Sequence, residues 1–463
     1  MNELRNREIA LSMETAGKRR AIVGLGASGL ATARFLTARG LPFEIFDTRL
    51  QPPGLEQIKE VAPQLSPRLG ELETSQLCEF DQLIVSPGLD TAAAPFKEVR
   101  QQGIEIINEI ELFYQHAQAP IIAITGTNAK STVTTMLAHA ASATGIRVAA
   151  GGNLGPAALD LLDESVELYL LELSSFQLES VVEFRARVAG FLNFSPDHLD
   201  RYPNIDAYRR AKTRIYAGAS AVVFNRDDPA TLPLTLASVA RQSFGLSQAA
   251  EGEFGLVEQD GVEYLAMGEQ QLLAVNALPV KGRHNIANAL AALALGNSFG
   301  LNLAVMCEAL KSYQGLPHRC VTLGDINGVE YIDDSKATNV GAAVAAIEGI
   351  APELPKGGRI ILIAGGIAKE EDFTPLVKRM REYGKAAITL GVDGPKLSDS
   401  LAAVVRVEQL EDIEAAVVKA AEIAEVGDVV LLAPACASQD MFRDYVERGE
   451  RFVAAVSGLG ASK

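Results

Sequence analysis

The sequence predicts an α/β protein of three domains, each built on a mainly parallel sheet. Short β-branched or aliphatic runs recur, each followed by a Gly-rich turn and an amphipathic stretch, which is the alternation of parallel strands and crossover helices. The chain has 463 residues, and at roughly 150 residues per domain each unit is long enough to bury a core of its own. No heptads, low-complexity tracts or short repeats interrupt the pattern.

The first block opens with the strand AIVGLG (21–26) and includes FEIFD (43–47) and QLIVSPG (82–88). Gly24, Gly26 and Gly29 form GxGxxG directly after a strand, and Asp47 ends the next strand about twenty residues on, which matches a Rossmann fingerprint. Three readings remain open here: a dinucleotide, another nucleotide diphosphate, or a purely structural turn, because each needs the same glycines.

The second block begins at IIAITG (121–126), continues through LYLLELS (168–174) and GFLNFS (190–195), and closes with the Ala-rich helix after Arg283. ITGTNAKST (124–132) stands between a strand and a helix, so backbone donors, Lys130 and the hydroxyls of Ser131 and Thr132 can cradle phosphates and Mg2+. It departs from a standard Walker A loop: the first glycine lies too near the lysine, and Ala129 stands where a second glycine is usual. Glu172 ends a strand on the same sheet, and His198 follows in SPDHLDRY, so both can reach a metal beside the phosphates. A solvated histidine between Asp197 and Asp200 is the competing reading, and a solvated charged helix face is the default for Lys212 in YRRAKTRIY. In GRHNIANALAA (282–292), Asn285 and Asn288 share a helix face; they suit either a ligand contact or helix capping.

The third block follows GLPHR (315–319), with strands at RIILIAGG, AAITLG and DVVLLAPA. Arg319, Asp334 and Lys336 fall near its start, where cations at a domain cleft suit a phosphoryl transition state; an inter-domain salt bridge is the alternative. APACASQDMF (433–442) leaves a strand through small residues, as expected where a ligand approaches backbone closely. Boundaries near 108 and 315 divide the chain into 1–108, 109–315 and 316–463.

Composition narrows the function. Cys78, Cys307, Cys320 and Cys436 are far apart and lack metal-ligand spacing, which suits a reducing compartment. The N-terminal segment has no apolar core followed by a cleavage site, and later apolar runs are too short to span a bilayer, so a cytoplasmic, soluble protein is expected. The formal net charge of -16 argues against nucleic acid or any nonspecific polyphosphate, so anions must be met in focused sites.

Taken in order, GTNAKST, LELSSFQLES, DHLDRY, AKTRIY, GRHNIANALAA, GLPHR, DDSKATN and APACASQD resemble the Mur ligase family across almost the whole chain. The resemblance implies a Rossmann-like N-terminal domain holding a UDP substrate, a central P-loop-type ATPase domain and a Rossmann-like C-terminal domain that closes over the cleft. GLGASG with FDTR, SKATN and APACASQD imply the branch that adds D-glutamate to UDP-N-acetylmuramoyl-L-alanine, with ATP and Mg2+ as cofactors, in cytoplasmic peptidoglycan precursor synthesis.

By the same resemblance, Ala27, Ser28, Asp47, Thr48, Arg49 and Gly88 surround the uridine diphosphate, and Asn153 and His198 lie near the muramoyl-alanine end. Gly126, Thr127, Asn128, Lys130, Ser131, Thr132, Asn285, Asn288, Arg319 and Asp334 serve ATP. Thr338, Lys369, Ser438 and Tyr445 contact D-glutamate. Ser131, Glu172 and His198 hold Mg2+, joined by Lys212 if carbamylated, and Lys130, His198, Lys212 and Lys336 act in catalysis.

Overall fold

In a computed structural model, residues 17–234, 239–280, 282–368 and 372–461 are described. Lys369 lies outside them. The chain folds into three α/β units, one sheet to each.

The first sheet contains β1 (Arg20–Val23), β2 (Phe43–Asp47), β3 (Arg68–Leu69), β4 (Gln82–Val85) and β5 (Glu105–Ile107), all parallel, in the order β3-β2-β1-β4-β5. The order reverses beside β1, so the loops leaving β1, β2 and β4 flank the crevice where such sheets take ligands. Helix α1 (Ala27–Ala38) starts directly after β1. Two glycines of the turn differ in their reason for being there. A Cβ on Gly29 would lie 2.0 Å from the Gly24 carbonyl oxygen, whereas one on Gly26 would meet nothing within 4 Å. Gly29 therefore serves packing, and Gly26 leaves backbone open to a ligand. Helix α2 (Glu109–His116), capped by Asn108, links this sheet to the next.

The second sheet has nine strands: β6 (Ile121–Thr125), β7 (Val148–Gly152), β8 (Leu168–Glu172), β9 (Val188–Phe191), β10 (Ala221–Asn225), β11 (Ala240–Phe244), β12 (Phe254–Gln259), β13 (Val262–Met267) and β14 (Gln270–Ala274). Their order is β14-β13-β12-β11-β10-β9-β6-β8-β7. β12 to β14 form an antiparallel meander, which the sequence reading did not anticipate. Helices α3 (Lys130–Ala143), α4 (Ile205–Thr213) and α5 (Arg283–Phe299) belong to this unit. α5 is buried along most of its length against both α3 and the sheet, so its uninterrupted run of Ala and Leu is what packing on several sides requires.

The third sheet contains β15 (Val321–Ile326), β16 (Val329–Asp333), β17 (Ile360–Gly365), β18 (Gly384–Leu390), β19 (Arg406–Gln409) and β20 (Val429–Leu432), ordered β15-β16-β20-β17-β18-β19, with only the edge pair β15 and β16 antiparallel. Helix α6 (Val340–Ile350) leads away from the cleft, and α7 (Tyr445–Ala461) closes the fold.

Core packing divides the molecule unequally. One apolar cluster runs from Ile22 and Phe35 of the first unit into Phe113, Tyr169 and Phe191 of the second, so these two share a core. The third unit has separate clusters on the two faces of its sheet, and it meets the second across a polar cleft.

Candidate active site

The cleft has a volume of about 710 Å3 and is built around the loop between β6 and α3. A helix N-terminus leaves backbone N–H groups unpaired, and here those of α3 open onto the cleft, a ready anion site. Thr127, Asn128, Lys130, Ser131 and Thr132 line it from the loop, Asn285 and Asn288 from α5, and Arg319 and Asp334 from the third unit. Asn153, Glu172, His198 and Lys212 face the same space, as do Lys336, Thr338 and Tyr445.

Ala129 adopts φ 65, a left-handed backbone that glycine takes more readily. The substitution thus leaves the loop's turn intact rather than abolishing it, at a strain of about 1 kcal/mol. Gly126 stands behind the cleft, and its carbonyl oxygen accepts from the Lys130 amine at 3.0 Å and from the Lys212 amine at 2.7 Å. Lys212 is 2% exposed, so the solvated-face reading is wrong: α4 turns this lysine inward, toward the loop, with its amine 4.8 Å from the centre of the Tyr208 ring. Burial, then repulsion from Lys130, pushes the Lys212 amine well below the ordinary lysine value, toward its neutral form. Lys130 is lowered by burial too, and Glu172 opposes this.

Glu172 ends β8 and is buried; its Oε1 accepts from Asn153 Nδ2 at 2.7 Å, while Oε2 is buried with no hydrogen-bond partner. An orphaned carboxylate oxygen in a polar cleft invites a cation. The Ser131 hydroxyl accepts from Arg319 Nη2 at 2.7 Å, so the third unit reaches the phosphate loop directly. These oxygen donors fit Mg2+, which prefers one or two protein oxygens plus waters and substrate phosphates. Among the described residues no three His, Cys, Asp or Glu side chains form a metal cluster; of the four expected ligands, Glu172 and His198 are of those types, and all four line the cleft.

His198 is partly exposed, with 31% of its side chain open, but it is packed in place. Its ring stands edge-on to Phe176 and Tyr208, with centroids 4.8 and 5.9 Å away, and its backbone is held at φ 56. The capping reading of Asn285 and Asn288 also fails, because Gly282 is the N-cap of α5; Asn288 Nδ2 instead donates to Asn285 Oδ1 at 3.2 Å. Burial raises the Asp334 carboxyl to about 7 against the opposing charge of Arg319. The Lys336 amine sits 3.9 Å from the centre of the Tyr445 ring. Ser438 is buried and does not line the cleft.

Ala27, Ser28, Asp47, Thr48, Arg49 and Gly88 lie away from this cleft, at the ends of the adjacent strands β1, β2 and β4. Asp47 is 1% exposed and already saturated: it accepts from the Leu25 N–H at 2.6 Å, the Arg49 N–H at 2.8 Å and the Arg49 guanidinium at 2.9 and 2.7 Å. It shapes the turn and presents Arg49.

Sequence reading passed over Asn193, whose side chain clasps the phosphate loop through the Asn128 N–H at 2.8 Å and the Asn128 carbonyl at 3.1 Å. It also gave no role to His318, which sits at φ 59 with Nδ1 2.6 Å from Asp333 Oδ2. The one local signal for Asn193 was a polar residue at a strand end in GFLNFS.

A phosphate loop, cations from two units and an unpaired carboxylate oxygen define a multidomain α/β enzyme that handles a nucleotide. Comparison with known proteins refines this. Residues 18–108 match the family model for the Mur ligase MurD-like N-terminal domain, 124–296 that for the Mur ligase middle domain, and 318–436 that for the Mur ligase glutamate ligase domain. The chain is 47% identical to the UDP-N-acetylmuramoylalanine--D-glutamate ligase of Pseudomonas putida, over 97% of this chain and 100% of that one. It is 47% identical to the protein of the same name from Nitrosococcus oceani, over 94% and 95%. Among solved structures, the UDP-N-acetylmuramate-alanine ligase MurC of Thermotoga maritima shares the fold with TM-score 0.59 at 20% identity, over 96% of this chain and 100% of that one. The MurF ligase of Thermotoga maritima in complex with ADP matches with TM-score 0.59 at 15% identity, over 95% of each. The chain belongs to the Mur ligase family.

Proposed function

We propose that this enzyme joins D-glutamate to UDP-N-acetylmuramoyl-L-alanine, with ATP converted to ADP and phosphate, in peptidoglycan precursor synthesis in the cytoplasm. Near-full-length identity to ligases named for that reaction supports the substrates. The observation that carries the chemistry is the convergence of the phosphate loop, Glu172 and Arg319 on one cleft.

A carboxylate resists attack by an amine until one of its oxygens becomes a leaving group. The alanyl carboxylate oxygen attacks the γ-phosphorus, ADP departs, and an acyl phosphate forms. The D-glutamate amine then attacks the acyl carbon; the C–O bond to phosphate breaks, the amide forms and the amine loses its proton. Two anions must meet in the first step, so the ammonium of Lys130, the guanidinium of Arg319 and the amine of Lys336 serve to lower their repulsion and align them. Lys130 is half-buried and anchored to the Gly126 and Thr127 carbonyls, so it has little reorganisation to make. His198, fixed by its aromatic neighbours, orients the muramoyl-alanine end together with Asn153. Mg2+ would be held by the Glu172 carboxylate and the Ser131 hydroxyl, and it would supply charge neutralisation at the phosphates.

Lys212 is proposed to work as a carbamate. Its neutral amine attacks CO2, an N–C bond forms, one proton leaves, and a neutral group becomes an anion beside the phosphate loop. The burial of this lysine supports the reading. Thr338 and Tyr445 face the cleft and are the proposed contacts for D-glutamate. Release of ADP and phosphate that requires both substrates tests the proposal.

A further inference from the structure

An amide bridge joins the phosphate loop to the third unit, and neither the nucleotide nor the amino-acid assignment uses it. Asn339 is 3% exposed and caps α6, with Oδ1 accepting the Ala342 N–H at 2.8 Å. That same oxygen accepts from Asn128 Nδ2 at 3.3 Å, while Asn339 Nδ2 donates to Asn128 Oδ1 at 3.0 Å and to Asp197 Oδ2 at 3.2 Å. The two amides are 211 positions apart in the chain. An N-cap needs only the side-chain oxygen, which Ser, Thr or Asp would provide equally well. The amide nitrogen, spent on Asn128 and Asp197, has no part in capping.

Packing beside the bridge shows the same close fit. A Cβ on Gly341, in the first turn of α6, would lie 2.8 Å from Ser195 Oγ and 3.2 Å from Ser195 Cβ. Ser195 Oγ is itself buried with no hydrogen-bond partner, and its backbone N–H and carbonyl are both bonded to the Thr127 hydroxyl at 3.1 Å. The first turn of α6 therefore rests against the strand-end segment that carries His198, so closely that a Cβ at 341 would force Ser195 to shift. Apolar burial does not glue the third unit to the second as it glues the first, so polar contacts of this kind have to set its position.

Resting on the cleft assignment above, we infer that Asn339 is an inter-domain positioning residue. Its amide reads the conformation of Asn128, which Asn193 clasps from the other side, and couples it to docking of the third unit. Lys336 and Thr338, on the segment leading into Asn339, thus come over the phosphate loop when that loop has the shape shown here.

Asn339→Ser tests this, because serine keeps a capping oxygen and lacks the amide nitrogen. The expected result is a fall of at least ~10-fold in kcat/KM for D-glutamate, the order expected for losing the amide's bonds to Asn128 and to the Asp197 carboxylate. The KM for the UDP substrate and the thermal midpoint should be unchanged. Asn128→Ala combined with Asn339→Ser should lose no more than the worse single variant, as residues in one network do. Gly341→Ala, which favours the helix but pushes against Ser195, should reproduce the D-glutamate defect, and Ser195→Gly should reverse it. A catalysis-free readout separates this idea from the functional reading: with a nonhydrolysable ATP analogue, small-angle X-ray scattering should give a larger radius of gyration for Asn339→Ser than for the wild type. Unchanged kcat/KM, additive losses, a defect spread equally over all substrates with a lowered midpoint, or identical scattering each overturns the inference. Wild-type protein that shows the scattering difference from the variant, yet does not ligate D-glutamate, sinks the functional reading alone.

Discussion

The Lys212 amine donates a 2.7 Å hydrogen bond to the Gly126 carbonyl, 86 positions earlier, and so ties helix α4 to the phosphate loop. A buried lysine beside a second lysine is costly as a cation, and the proposed carbamate would exchange repulsion from Lys130 for attraction. Lys212→Ala should lower turnover by about 100-fold or more, with partial recovery in acetate. Lys212→Arg should stay inactive, because arginine keeps its charge and forms no carbamate. Near-wild-type turnover in both variants would show that the lysine only packs.

Lys130→Ala should reduce turnover by about 10²- to 10³-fold, since the ammonium acts on charge developing at the transferred phosphoryl group. Calorimetric titration should find binding of the UDP substrate nearly intact, because its proposed anchor at Arg49 belongs to the first unit, in the loop after β2. Equal loss of both functions would place the two ligands in one site and contradict the assignment.

Asp47→Asn should raise the KM for the UDP substrate by roughly 10-fold and leave kcat and the ATP KM unchanged, as expected for uniform binding remote from the reacting atoms. Asparagine has one acceptor oxygen where Asp47 uses two, so Leu25 or Arg49 loses a partner. A change confined to the ATP KM would refute this. NADH should compete with neither substrate.

Glu109 links stability to pH. It is 2% exposed at the junction of the first two units, where Oε1 accepts the Leu159 N–H at 2.8 Å, and burial lifts its carboxyl from 4.5 to about 7. Between those values the folded chain keeps a proton that the unfolded chain has released, so stability falls as pH rises through the window. Glu109→Gln should melt like the wild type at pH 4.5 and increasingly above it toward pH 7 and beyond, by at most about 3 kcal/mol. A melting difference that is flat with pH would remove Glu109 from the account.

Much of this was legible because strand-turn-helix punctuation is local. The glycines of the first turn, GTNAKST and the strand-end Glu172 all announce themselves by position within a few residues. Lys212 and His198 did not. On sequence alone each looks like a solvated polar residue, because what holds them, the Phe176 and Tyr208 rings around His198 and the Gly126 carbonyl on the buried Lys212, is supplied by tertiary packing. The bridge from Asn339 to Asn128 was invisible for the same reason. Asp47 shows the converse case: its position was read from spacing, but its saturation by Leu25 and Arg49 could be known only from geometry.

The central claim is tested most directly by following ADP and phosphate release with UDP-N-acetylmuramoyl-L-alanine and a panel of D- and L-amino acids. The account expects stoichiometric ADP, phosphate and amide product with D-glutamate, and little release when either the UDP substrate or D-glutamate is omitted. Equal turnover with L-glutamate, or nucleotide hydrolysis that ignores both substrates, would contradict it.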